Sequence, residues 1–401
     1  MTRLLPLPSV MTTATAFAAL CAGAGVANAA DGFTQNNLIS NMPGLAATTD
    51  PNLVNPWGVS FANGSPIWIS DQATQTSILP GVTGSTGVTK TPFTVNIPPM
   101  GASGPTGQVA NSLAIGGMSD GFDVNNGGNG KSANFIFANL NGSISAWNGA
   151  PTTANAFTQT SVAGASFTGL AINQADTELF AANTAGAGGI DVFNNAFQQM
   201  TEPLGAFATP TAVSAKGLVP FNVTDLGGNV FVTYAPSGHT AQTMATGGEG
   251  AVAEFSESGG LEKTITNNAL ASPWGVAIAP SSFGQFGGDL LVGNFSFVPG
   301  VADMINAFNP VTDALVGSIE VNPGAGNTAG GLWSIVFGGS GSDGTPDTLF
   351  FTDGINGETG GLFGSFTAAV PEPSTWAMML AGFGGLALLA ARRRRTLSAT
   401  G

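Results

Sequence analysis

For acid–base or metal chemistry the chain offers one histidine, one cysteine and 23 carboxylates as its main candidates. His239 lies in the loop sequence Pro-Ser-Gly-His-Thr-Ala-Gln-Thr with no metal-ligand neighbour, which predicts a solvent-exposed imidazole. Residues 117–121 (Gly-Met-Ser-Asp-Gly) match the G-x-S-x-G nucleophile pattern. No strand-to-helix elbow surrounds them, and the one histidine is far off in sequence, so a serine hydrolase is a weak reading. The glycine-rich stretches 127–131 and 338–346 echo calcium-binding nonapeptides, but each stands alone and departs from the pattern. A weakly held surface calcium near Asp120, Asp123 or Asp343 is the most they offer, and no other cofactor is expected.

The elements that would position such groups form a repeat. Residues 272–320 contain four short apolar runs separated by Gly, Pro, Asn and Asp, the pattern of a four-stranded antiparallel unit. The same order recurs six times. First elements fall at 56–61, 105–110, 167–172, 220–225, 273–278 and 331–337; second elements at 67–71, 135–139, 179–183, 230–234, 290–294 and 349–353. Third elements fall at 76–80, 143–147, 189–193, 251–255, 304–308 and 362–366. A fourth appears in five copies, at 92–97, 156–162, 198–204, 261–266 and 314–320. The sixth copy lacks one, and a lone strand candidate at 33–40 supplies it. A ring closed in this way has no open edge, so the fold expected is all-β, a six-bladed β-propeller sealed by an N-terminal strand. Second elements are apolar at successive positions, as in strands buried between blades. Third elements alternate better and are expected to be half-exposed. No helix pattern stands outside the two chain ends.

With the ring drawn, the first strands line the axis. They carry no His, no Cys and a single carboxylate, Asp225, so a paired-carboxylate glycosidase has no second acid there. Propeller lactonases hold calcium with Asn, Asp and Glu, several of them at the start of inner strands. The matching positions are Trp57, Thr106, Thr168, Trp274 and Leu332 or Trp333, and only Asn222 in the fourth blade has ligand chemistry. Trp57, Trp274 and Trp333 recur at one blade position, either as aromatic platforms for flat ligands at a channel mouth or as packing between blades. Together with Asn222 and Asp225 they are the candidate binding residues; no catalytic or metal-ligating residue is assigned. Asp71, Asn139, Asn183, Asn294 and Asp353 end the second strands, where they either converge on a cation or start turns through their own backbone.

The chain ends differ from the body. Between them, four lysines face 22 acidic residues, a balance near −18 that disfavours nucleic acid as a partner. Arg3, an apolar run over 11–26 and the small residues 27–29 read as a signal peptide over 1–29, which implies the Sec translocon and signal peptidase. Cys21 falls inside it, so the mature chain would have no thiol chemistry. At the other end Pro371-Glu372-Pro373 precedes an uncharged stretch over 376–391 and then Arg392, Arg393, Arg394 and Arg395. Residues 374–391 are just long enough to cross a bilayer as a helix, with the arginines on the cytoplasmic side. This order resembles the PEP-CTERM sorting signal of Gram-negative bacteria, over residues 369–401. The resemblance implies an exosortase as partner and a transient inner-membrane tether, followed by sorting to the cell surface or beyond. The body, 30–368, resembles a family of uncharacterised secreted bacterial proteins, carried by NPWG, SPWG and GLFGSF, and more distantly NHL-type propeller repeats. The expected function is a non-enzymatic binding or matrix component, associated with exopolysaccharide by analogy. The alternative is a secreted propeller hydrolase or lactonase, with or without calcium. Converging carboxylates around a closed pocket would favour the alternative; a channel floored by Trp, Thr and aliphatic groups would favour binding.

Overall fold

The computed structural model describes residues 28–30, 32–98, 103–119, 121–149 and 154–369. The expected signal peptide, apart from residues 28 and 29, and residues 370–401 of the sorting segment lie outside this set, as does Asp120. Residues 28–30 pair with the strand that follows them.

Six antiparallel sheets surround an axis, each with its strands in chain order from the inside outwards except the sixth, whose outer strands come from the N-terminal end of the body. The inner strands are Pro56–Ser60, Pro105–Ala110, Phe167–Ile172, Leu218–Asp225, Pro273–Ile278 and Leu332–Phe337. Each lies beside its predecessor, and the sixth lies beside the first, which closes the circle. The seal is the one expected. Phe33–Ser40 pairs antiparallel with Leu362–Ala368, from Phe33 opposite Ala368 to Ser40 opposite Leu362. Six apolar clusters fill the six interfaces between blades, and a seventh lies on the axis.

Every inner strand carries a register shift at the same place, between the residue opposite the end of the second strand and the residues two or three further on. A bulge of this kind re-aims one side chain. The residue so placed is Trp57, Thr106, Thr168, Phe221, Trp274 or Trp333, one tier around the axis. The next tier is Gly58, Gly107, Gly169, Asn222, Gly275 and Ser334. Its glycines answer a steric demand, because a Cβ on Gly107 would lie 2.3 Å from the Leu170 nitrogen of the adjacent inner strand. Gly107→Ala is therefore expected to cost about 1–3 kcal/mol by overpacking, read as a lower urea midpoint at an unchanged slope.

Three expectations are corrected. Residues 198–204 form no strand, so blade three has three strands plus a single bridge between Phe193 and Gln199. Pro203 lacks a donor there, and the segment is largely exposed, which leaves no apolar face to hold a fourth strand. Third strands are mostly buried, since the neighbouring blade covers them as it covers the second strands. Short helices of four or five residues occur in the body: Ser112–Ile115, Thr211–Ser214, His239–Thr243 and Ile355–Glu358.

Candidate functional site

The tryptophans of the repeated tier meet on the axis. Trp57 stacks on Trp333 with ring centroids 3.5 Å apart, and Trp274 stands edge-on to both at 6.2 and 5.8 Å. Phe221 and Phe295 complete the cluster. Trp57, Trp274 and Trp333 are 4%, 3% and 0% exposed, so the cluster plugs the channel. Blade four contributes Phe221 to this tier, and Asn222 lies one residue further along the strand than the sequence alignment of blades placed it. Trp274 donates its indole N–H to the Thr168 carbonyl at 3.0 Å, and Trp333 donates to Asn55 Oδ1 at 2.8 Å.

The plug divides the axis into two blind chambers. The lower one, about 400 Å³, is lined by the distal halves of all six inner strands. Asn222, Trp274 and Asp225 are among its lining residues. Asn222 donates to the Trp274 carbonyl at 2.9 Å, which fixes its side chain against blade five. Asp225 is pushed up to about 6 by burial, with the Gly228 N–H opposing and Glu257 adding to the rise.

The upper vestibule, about 590 Å³, opens on the face where the inner strands begin. Trp57 forms part of its wall; Trp333, fully buried, lines neither chamber. Here His239 Nε2 and Glu358 Oε2 are 2.8 Å apart, with side chains 59% and 14% exposed. Glu358 Oε1 accepts from Asn55 Nδ2 at 3.0 Å, and the same amide donates to Gln72 Oε1 at 3.1 Å. A continuous chain of bonds thus runs from the Trp333 indole through Asn55 and Glu358 to the imidazole. Among the described residues nothing bonds the second imidazole nitrogen. The bond to Glu358 raises the His239 pKa above its ordinary 6.5, with burial opposing. The stability contributed by this pair is complete below pH 6.5 and lost as pH rises through the higher folded value.

Two members of this network, Asn55 and Glu358, sit in left-handed backbone. Asn55 has φ 47°, and Asn356, Gly357 and Glu358 have φ 60°, 63° and 65°, a short left-handed turn. For residues other than glycine this costs about 1–2 kcal/mol each, and such costs gather where a side chain must be delivered to a set position. The sequence reading missed Glu358, Asn55 and Gln72; the exposure expected of His239 holds, but the imidazole is paired with Glu358. The available signal was position: polar residues immediately before a first element or after a second must surround the upper end of the axis.

The other sequence candidates do not assemble. Asn139, Asn183 and Asn294 bond within or next to their own blade, tying loops through Ser143 O, Ser166 N–H and Ala271 N–H. Ser119 is exposed and lies 3.4 Å from the Ser132 hydroxyl, away from His239. Asp343 is buried and accepts from the Gly64 N–H at 2.7 Å, so it ties two loops and is not a surface group. Among the described residues no three His, Cys, Asp or Glu side chains gather as a metal site, and no helix is long and apolar enough to cross a membrane.

The fold and the chain end together define a six-bladed propeller that is sorted to the surface. Residues 369–395 match the PEP-CTERM protein-sorting motif, which marks export and surface or extracellular sorting in Gram-negative bacteria, with an exosortase as the sorting partner. The chain is 28% identical over 269 residues to uncharacterized protein R648 of Acanthamoeba polyphaga mimivirus, an alignment covering 65% of this chain and 64% of that protein. Similar solved structures include a streptogramin B lyase, 12% identical with a TM-score of 0.45 over 84% of this chain and 97% of that one. A Bacteroides thetaiotaomicron protein of unknown function is 10% identical, TM-score 0.46, over 84% and 76% of the two chains. Kuenenia stuttgartiensis hydrazine synthase is 12% identical, TM-score 0.44, over 78% and 80%.

Proposed function

We propose that this surface-sorted propeller binds a small polyhydroxylated ligand, such as a sugar unit of an exopolysaccharide, in the upper vestibule without transforming it. The observation that carries the reading is the aromatic plug. It turns a through-channel into a cup lined by amides (Asn55, Gln72, Gln242), hydroxyls (Ser166, Thr168, Thr184) and part of Trp57. Signal-peptide export over 1–29 and a transient tether through 376–391 complete the proposed route to the surface.

A second reading, a hydrolase, is favoured by one feature: the His239–Glu358 pair leaves an imidazole nitrogen open to the cup, the arrangement of an oriented general base. Calcium would fit poorly. Glu358 is the one carboxylate among the described lining residues, and it would have to give up the imidazole to serve a cation taking six to eight oxygens.

Glycan-array screening followed by calorimetry tests both readings. The wild type is expected to retain one glycan class, with His239→Ala and Gln72→Ala each weakening binding about tenfold, the loss of one charge-assisted or buried hydrogen bond. No retained glycan would sink the binding reading. Consumption of the bound glycan, abolished by Glu358→Gln while binding persists, would replace it with the hydrolase.

A further inference from the structure

We infer that the lower face of the propeller is its membrane face while the C-terminal segment holds the chain, with the lower hairpins of blades four and five nearest the lipid headgroups and the His239 vestibule turned away from the bilayer. The inference rests on the proposed insertion of the apolar run 376–391.

Strand direction decides which face the chain leaves by. In blade six the third strand begins with Leu362 opposite Asp353, on the vestibule side, and ends with Ala368 opposite Phe33, on the other. The Ala369 N–H then donates to the Gly32 carbonyl at 2.6 Å, which pins the exit against the lower rim. Only the six residues 370–375 separate Ala369 from Trp376, a span of seven Cα-to-Cα steps. Fully extended they reach about 25 Å. Climbing past a six-residue strand takes about 20 Å and crossing a headgroup layer about 5–7 Å more, which consumes the whole extended reach, so a leash this short favours the lower face.

The surface beside the exit agrees with that placement. Of the nine large exposed apolar side chains among the described residues, five (Leu261, Ile278, Val311, Leu315 and Val316) cluster at the lower ends of blades four and five, while Met118, Met200, Leu204 and Met244 lie elsewhere. Blade five is also the one that touches the exit: Phe283 and Phe286 pack on Phe33 at 4.7 and 5.3 Å, and Gly284 lies against Ala368. Charge does not provide the attraction, since the acidic body is repelled by anionic lipid. Proximity comes from the tether, and the apolar patch is what a neutral interface would tolerate. A ligand for the vestibule could therefore bind before and after release, whereas the lower chamber would open to solvent only on release.

The test uses the full chain with Cys21→Ser and one new cysteine carrying a bimane, mixed with phosphatidylcholine vesicles that contain a headgroup-nitroxide lipid. The chain is expected to float with the vesicles. Val311→Cys should be strongly quenched and Met244→Cys, in an upper loop, nearly unquenched. Leu315→Cys and Thr240→Cys should repeat that order, which guards against a local effect at one site. Equal quenching at the two faces, stronger quenching at the upper one, or failure to float would each overturn the inference; only failure to float would also remove the tether on which it rests.

Discussion

Trp333→Ala is expected to lower the unfolding free energy by about 3–5 kcal/mol, the range for deleting a fully buried large aromatic. Trp333 stacks on Trp57 at 3.5 Å and on Phe295 at 4.2 Å, and it meets Trp274 and Phe221 near 6 Å. Four blades therefore lose a shared contact at once, and the wall between the chambers opens. The substitution also strips Asn55 Oδ1 of its donor, so the amide that holds Glu358 is free to turn. Trp333→Phe separates the two effects, since it keeps an aromatic ring in the plug but lacks the N–H. It should cost much less stability, yet move the His239 pKa down towards 6.5 as Glu358 loosens. Urea denaturation and imidazole NMR titration read these quantities. A Trp333→Ala loss under about 1 kcal/mol, or an unmoved imidazole in the Phe variant, would show that the axial cluster neither holds the ring nor orients the pair.

The architecture was legible because it rests on repetition: six apolar triplets in fixed order and a spare strand at 33–40 leave a closed ring as the consistent solution. Axial positions were less so. Aligning blades by composition put Asn222 beside Trp57, whereas the bulge puts Phe221 there, and a bulge leaves no mark in a six-residue apolar run. Residues 198–204 look like the other outer elements, but an outer strand needs a covered face, and that depends on the adjoining blade. The His239–Glu358 pair was the least visible, because the partners are 119 residues apart and meet only once blades four and six flank the same cup. Asn-Gly at 356–357 does signal left-handed backbone, and the turn it makes is the one that delivers Glu358.

Asp303→Asn is expected to stabilise the protein at pH 8 by on the order of 1–3 kcal/mol and to change little at pH 4. Asp303 and Asp353 are fully buried and adjacent, between the loop after the second strand of blade five and the end of the second strand of blade six. Asp303 Oδ2 accepts from the Gly330 N–H at 2.8 Å, while neither oxygen of Asp353 receives a donor from other described groups. The bond left to Asp353 is a proton shared with Asp303. Burial, reinforced by the neighbouring carboxyl, holds Asp353 well above the usual carboxylate range; burial pushes Asp303 up to about 7 from an ordinary 3.8. Between 3.8 and about 7 the folded chain holds a proton on Asp303 that the unfolded chain has released, so the Asp303 contribution lowers stability as pH rises through that window, and the raised Asp353 acts in the same direction. Asparagine keeps the acceptor for Gly330 and provides a permanent donor to Asp353, which removes both the like charge and the need for the shared proton. Thermal or urea unfolding at pH 4 and pH 8 should therefore show the variant and the parent converging in acid and separating in base. A variant less stable than the parent at pH 8 would mean that a partner outside this pair stabilises the ionised carboxylates.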